Sequence, residues 1–133
     1  MRAKLTLLAM IAAVFYCTAT AGAGGADGGQ KLYLQHCASC HGKDGKGSGP
    51  VSPHLKVKVP DLTLLKNNNN GRYPLDYVVS TIDGRRSVRA HGDREMPVWG
   101  EIFSQELEKE KYKELTTLLK AKVIAEYVGT LQR

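Results

Sequence analysis

The sequence is poor in cysteine and in aromatic residues. Its three cysteines are an odd number, and two of them, Cys37 and Cys40, lie only three positions apart, so a framework of structural disulfides is a poor interpretation. Aromatic residues make up 7% of the 133 residues, which leaves a modest apolar core for a chain of this size. We therefore expect an added group to stabilise the fold.

The sequence also lacks a strong excess of one charge. Nineteen Lys and Arg oppose thirteen Asp and Glu, for a formal charge of +6. Without Arg2 and Lys4 the chain has seventeen basic and thirteen acidic residues, a net charge of +4. This mild excess is unlike the dense basic surface of a nucleic-acid-binding protein. We expect a single domain and no nucleic-acid partner.

Long apolar runs are absent, and the longest, residues 5–16, is short of the roughly 20 residues that span a bilayer as a helix. Arg2 and Lys4 precede this run, and small residues follow it at 18–23. These are the three zones of a secretory signal peptide. We therefore expect residues 1–23 to be cleaved, and the mature protein, residues 24–133, to lie in the periplasm without stable membrane insertion.

Two alternatives to cleavage remain open. The apolar run could stay attached as an N-terminal anchor, or Cys17 could be lipidated. The lipidated cysteine of a bacterial lipoprotein resembles a pattern in which a small residue comes just before the cysteine, whereas Tyr16 is large.

Glycine and proline divide the first half of the mature chain. Residues 24–28 are predicted to be flexible, with order beginning near Gly28, because glycines dominate there. Residues 30–37 have room for about two helical turns, which are marginal alone and need a packing partner. Glycine and proline recur through 42–60, so a long loop is expected to wrap something there.

Helical spacing dominates the second half, and no alternating strand pattern occurs, so we expect an all-α fold. The apolar residues of 75–82 predict a short helix, and residues 85–100 are predicted as loop. Ser104 is predicted to cap a solvated helix that begins in the charged run 106–114. Its continuation is predicted as a terminal helix with one buried stripe, formed by Ile124, Tyr127, Val128 and Leu131.

The run Cys37-Ala38-Ser39-Cys40-His41 is the haem attachment signature. Two thiols three positions apart on a helical turn can add to the two vinyl groups of one haem, and His41 is then placed to coordinate the iron. The alternatives are a zinc half-site and a redox Cys-x-x-Cys. A zinc site needs a second pair of soft ligands, and no cysteine follows Cys40. We expect one covalent haem c, which is consistent with export because such attachment occurs outside the cytoplasm.

Met96 is the single methionine outside the leader and lies beside Pro97 in a polar loop. That position is poorly suited to filling a core, so we predict that Met96 is the second axial ligand. A thioether favours Fe(II) and raises the reduction potential. His91 and His54 are the competing ligands.

Together these residues resemble the class I (small, monohaem, His/Met) bacterial c-type cytochromes, over residues 28–133. The resemblance implies about three to five helices wrapped around one covalent haem, with the N- and C-terminal helices crossing. Gly29 and Tyr33 stand at the crossing positions of the first helix. Ile124 and Tyr127 match their partners in the last helix.

The resemblance also implies two further haem-binding residues. The carbonyl of Pro50 is expected to accept a hydrogen bond from Nδ1 of His41, which would fix the ring and strengthen it as a ligand. Trp99, just after Met96, is expected to pack near the haem rim.

One-electron transfer by a periplasmic carrier, with no bond-making catalysis, is the leading functional hypothesis. The alternatives are a cytochrome subunit bound to a periplasmic dehydrogenase or oxidase complex, and a peroxidase-like enzyme in which Met96 dissociates. The expected oligomeric state is a monomer or a complex subunit. Both loops expected to line the haem are basic, which favours a redox partner with an acidic docking face; the residues are Lys43, Lys46, Lys56, Lys58, Arg85, Arg86, Arg89 and Arg94.

Overall fold

A computed structural model describes residues 23–85 and 96–133, and over these two ranges it is helical and without strands. The α-helices are α1 (Ala23–His36), α2 (Ala38–His41), α3 (Leu75–Ile82), α4 (Trp99–Glu106) and α5 (Lys113–Thr130). Short 3-10 turns lie at Ser52–His54, Leu62–Leu64 and Asn67–Asn69. The predicted all-α class is confirmed. No helix within the described ranges combines the length and apolarity needed to cross a membrane.

Helices α1 and α5 cross, as the resemblance implied. At Gly29 the two backbones are so close that an added Cβ would lie 2.2 Å from the carbonyl oxygen of Val123. One turn later the fully buried ring of Tyr33 packs on the ring of Tyr127, with centroids 5.2 Å apart. Ile124 is buried at the same crossing. The first helix thus gains the packing partner that its length requires.

Helix α5 is the centre of the fold, because α3 and α4 pack on it as well as α1. Phe103 of α4 is fully buried, as are Tyr33 and Ile124. The Tyr73 hydroxyl donates a 2.6 Å hydrogen bond to the carbonyl of Ala125 and so ties the chain before α3 to α5. The predicted helix over 75–82 is confirmed with the same bounds.

The start of α1 differs from the sequence prediction. The helix begins at Ala23 rather than near Gly28, while the flexibility expected of residues 24–28 stays a prediction. Packing at Gly29 and Tyr33 supplies the costly helix nucleus, and adding further turns to an existing helix requires much less. The expected signal peptide falls almost entirely outside the described residues and stays a prediction.

The charged segment before the terminal helix also differs from the prediction. Ser104 is not an N-cap, because it lies inside α4, which begins at Trp99 within the expected loop and ends at Glu106. Turns at 107–112 then separate α4 from α5. Burial of Phe103 fixes α4 in this position.

Candidate haem site

The attachment motif forms a tight turn at the end of α1. The amide of Cys37 donates to the carbonyl of Tyr33 at 2.8 Å, and the amide of His41 donates to that of Cys37 at 2.9 Å. Gly42 ends the turn with a positive φ of 78°. The Tyr33 hydroxyl donates to the carbonyl of Gly42 at 2.7 Å, because a buried phenol needs a partner. Tyr33 therefore fixes the turn as well as the helix crossing, a role that its sequence pattern did not indicate.

No disulfide joins Cys37 and Cys40. Cys37 is buried and Cys40 is half-buried. Burial, followed by the nearby Cys40, raises the pKa of the Cys37 thiol to about 12. Within the described residues, no group of three or more His, Cys, Asp and Glu side chains is arranged to bind a metal ion.

The two cysteines open onto a cavity of about 270 Å³. His41, which is only 8% exposed, and Met96 line the same cavity. The structure thus brings together all four residues that the sequence assigned to the haem and its iron. Much of the remaining wall is apolar and includes Leu55, Val57, Val59, Leu62, Leu65, Val78, Ile82, Ile124 and Val128.

These residues fit a covalently attached haem. The walls suit an apolar macrocycle, and two thiols stand at its edge. An imidazole and a thioether form the donor set of His/Met haems, in which the sulfur ligand raises the reduction potential. Cys37 and Cys40 would hold the group, and His41 and Met96 would occupy the two axial positions.

Pro50 is held beside the attachment turn. The preceding residue, Gly49, donates its amide to the carbonyl of Cys40 at 3.0 Å. An added Cβ on Gly49 would lie 2.3 Å from the carbonyl oxygen of Ser39. This close approach explains the glycine, while the hydrogen bond from His41 to Pro50 stays a prediction.

Trp99 lines the cavity, where the resemblance placed it near the haem rim. Its ring lies 5.0 Å from that of His36 and 5.9 Å from that of Phe103. His36 also lines the cavity, a position that the sequence analysis missed. No periodic signal would have found it, because α4 creates this contact.

The competing ligands and the basic residues singled out in the sequence differ in their positions relative to the cavity. His54 is exposed and does not line the cavity, and His91 lies outside the described residues. Lys58 lines the cavity, whereas Lys46 and Arg85 form ion pairs with neighbouring aspartates. Lys43 and Lys56 are exposed, and Arg86, Arg89 and Arg94 lie outside the described residues.

Comparison with known proteins identifies the family. The family model for cytochrome c oxidase, cbb3-type, subunit III matches residues 24–116. Neither the curated proteins nor the solved structures gave a significant match. The matched region covers well over half of the chain and includes the attachment motif and Met96. The chain therefore belongs to this family of c-type cytochromes, which carry haem c and transfer electrons.

Proposed function

We propose that this chain is a periplasmic electron carrier of the class I kind, with one covalent haem c. The observation that carries the proposal is the shared cavity, which Cys37, Cys40, His41 and Met96 all line. When bound, the haem supplies an iron that accepts and releases one electron. His41 and Met96 would both hold the iron before and after electron transfer, so reorganisation would be small and a substrate would find no free position.

The apolar wall supports the same proposal. A low-dielectric surrounding and a thioether ligand both disfavour the more highly charged ferric state, so they raise the reduction potential. The buried imidazole of His41 and the half-buried Met96 are supplied by segments that α1, α4 and α5 hold together. This arrangement supports a pair of ligands that stays in place during electron transfer.

The test is expression of the full chain, leader included, in a bacterium that attaches haem c. We expect the intact mass to correspond to a mature chain that begins near Gly24 and carries one haem. The protein should undergo reversible one-electron reduction, and the reduced form should not readily bind carbon monoxide at neutral pH. Ready carbon monoxide binding would favour the peroxidase-like alternative. Retention of residues 1–20 would favour a membrane anchor.

A second candidate function is a cytochrome subunit of a larger redox complex. Helix α5 and the turn before it present large apolar side chains to solvent; Tyr112 is 63%, Leu115 is 56% and Leu119 is 49% exposed. Their spacing of three and four residues places them on one helix face, opposite the buried Ala121 and Ile124. Contiguous exposed apolar residues are typical of interaction surfaces, and the matched family is named for an oxidase subunit.

The two candidates differ in native size. If the chain is a fixed subunit, the haem should elute from native cell extract with larger proteins, and Leu115→Glu with Leu119→Glu should release it as a monomer. The matched control is Leu34→Glu, which changes an exposed leucine on α1 instead and should not release the haem protein as a monomer. Elution of the wild type as a monomer supports the carrier.

The basic residues singled out in the sequence favour a redox partner whose docking face is acidic. Lys46 and Arg85 pair with Asp44 and Asp83, so we assign the attraction mainly to Lys43, Lys56 and Lys58. Complementary charge acts on encounter rate and is screened over roughly 8–10 Å at physiological salt.

Electron transfer to the physiological partner should therefore slow as ionic strength rises. Lys43→Glu with Lys56→Glu should flatten this dependence, whereas Lys109→Glu, in the turn between α4 and α5, should leave it almost unchanged. A wild-type rate that is indifferent to salt would favour an apolar contact instead.

A further inference from the structure

One wall of the haem cavity is a short segment with little structure of its own. Residues 61–66, here called the wall segment, contain the 3-10 turn Leu62–Leu64. Leu62 and Leu65 line the cavity, and Thr63 between them is 3% exposed. A single 3-10 turn is intrinsically weak, so the position of this wall depends on contacts with other parts of the chain.

Local hydrogen bonds define the start of the wall segment, and at its far end the carbonyl of Lys66 accepts from the amides of Asn69 at 3.2 Å and Gly71 at 3.0 Å in the turn that follows. The Asp61 carboxylate accepts from the amide of Thr63 at 2.9 Å and from its hydroxyl at 2.6 Å. The amide of Leu62 donates to the carbonyl of Gly45 at 2.7 Å.

Gln132, just after α5, connects the wall segment to that helix. Its side-chain amide nitrogen donates to the carbonyl of Leu62 at 2.7 Å and to the carbonyl of Val128 at 2.9 Å. Its side-chain oxygen accepts from the amide of Lys66 at 2.8 Å. One side chain therefore bridges both ends of the wall and the last turn of α5.

Arg133 adds three contacts to the same segment. Its guanidinium donates to the Asp61 carboxylate at 2.8 Å and to the Thr63 hydroxyl at 2.7 Å. Its backbone amide donates to the carbonyl of Thr63 at 3.2 Å. These contacts join residues about 70 positions apart in the chain.

We propose that Gln132 and Arg133 are positioning residues that hold the wall segment against the haem cavity and thereby keep the reduction potential high. The proposal rests on the proposed function, because it requires the haem to occupy this cavity. The contacts of Gln132 and Arg133 with the wall segment are here called the clasp. If the clasp opens, water gains access past Leu62 and Leu65. A more polar surrounding stabilises the ferric state, so the potential falls.

The experiment compares Gln132→Ala and Arg133→Ala with the wild type in the haem-loaded full chain. In Gln132→Ala the amide of Lys66 loses its acceptor, so its hydrogen exchange should rise about tenfold, as expected when roughly one net hydrogen bond is lost. In both variants the reduction potential should fall. Exchange within α3 should stay unchanged. Lys122→Ala, which removes an exposed ion pair with Glu126 on α5, is the control and should change neither quantity.

A second pair of variants keeps the test decisive if the alanine variants fold poorly. Asp61→Asn removes the carboxylate charge at nearly constant side-chain size. Arg133→Lys retains a positive charge but not the simultaneous contacts of the guanidinium with Asp61 and Thr63. Both should give intermediate potentials.

The two proposals fail in different ways. A wild-type protein without covalent haem or reversible reduction contradicts the proposed function. If the wild type carries a normal haem but the clasp variants keep the wild-type reduction potential, the clasp proposal is overturned, whether or not amide exchange in the wall segment becomes faster.

Discussion

His41 and Met96 reach the same cavity from distant parts of the sequence, His41 from α2 and Met96 from the segment just before α4. At the residue scale the proposed electron-transfer chemistry depends on these two donors and on the two thiols. The competing ligand His54 is exposed and does not line the cavity.

Replacement of Met96 tests the axial assignment. Met96→Ala should abolish the weak red absorption of the ferric iron–sulfur bond, and should lower the potential by an appreciable part of the roughly 0.8 V range that axial ligands span. His54→Ala is the control and should preserve both. Survival of the band and the potential in Met96→Ala would show that another residue is the ligand.

His36 packs against two aromatic rings at the edge of the cavity, and this position affects its pKa. Its ring lies 5.0 Å from Trp99 and 5.1 Å from Phe103. Burial lowers the pKa of His36 below its usual 6.5, Glu106 opposes the shift and Lys120 adds to it. The folded protein therefore favours the neutral ring.

This depressed pKa predicts a pH-dependent stability. Between the folded pKa and about 6.5 the unfolded chain binds more protons than the folded one, so stability should rise as pH increases through that window and level off above it. In His36→Gln this component should be absent, so the melting temperature of the variant should vary less between about pH 4.5 and 7. Parallel melting profiles for the two proteins would contradict the assignment.

At the scale of elements, the crossing of α1 and α5 positions the attachment turn. Gly29 permits the close approach to Val123, and the Tyr33 and Tyr127 rings pack beside it. The attachment turn follows directly from α1, so a displaced crossing would also displace Cys37.

Two adjacent glycines of α1 give a matched test of this crossing. Gly29→Ala should lower the free energy of unfolding by about 1–3 kcal/mol or more, because its Cβ would clash with backbone. Gly28→Ala has nothing within 4 Å of the new Cβ and should stabilise the helix by up to about 1 kcal/mol. Denaturant unfolding of the haem-loaded variants measures both. Equal effects at the two positions would exclude a close crossing.

On the scale of the whole molecule, the cavity occupies the space between the helices. Side chains from α1, α3 and α5 line it together with the wall segment. The chain has few aromatic residues, so a haem in this cavity is expected to complete the core that the buried helical side chains begin.

Removal of both attachment thiols tests this dependence. Cys37→Ser with Cys40→Ser should give no covalent haem and a largely unfolded or degraded chain, measured by haem staining and by far-ultraviolet circular dichroism. Cys17→Ser, in the expected leader, is the control and should leave the haem content of the mature protein unchanged. A stable helical apoprotein would contradict a structural role for the haem.

The sequence alone predicted the parts of this protein that depend on local spacing. The attachment motif needs two thiols and a histidine within one helical turn, and the single methionine outside the expected leader identified the candidate for the second axial position. Apolar periodicity predicted α3 with its observed bounds. The resemblance to known cytochromes supplied the crossing at Gly29, because that contact joins residues that have no local relation.

Only the tertiary structure decided which remaining residues are buried or paired. The sequence placed a cap at Ser104 because a charged run follows it, whereas burial of Phe103 makes this region a separate helix. Gln132 and Arg133 are ordinary polar residues in sequence, yet they hold a cavity wall about 70 positions away. Burial and hydrogen bonding depend on contacts between remote segments, and such contacts leave no periodic pattern in the chain.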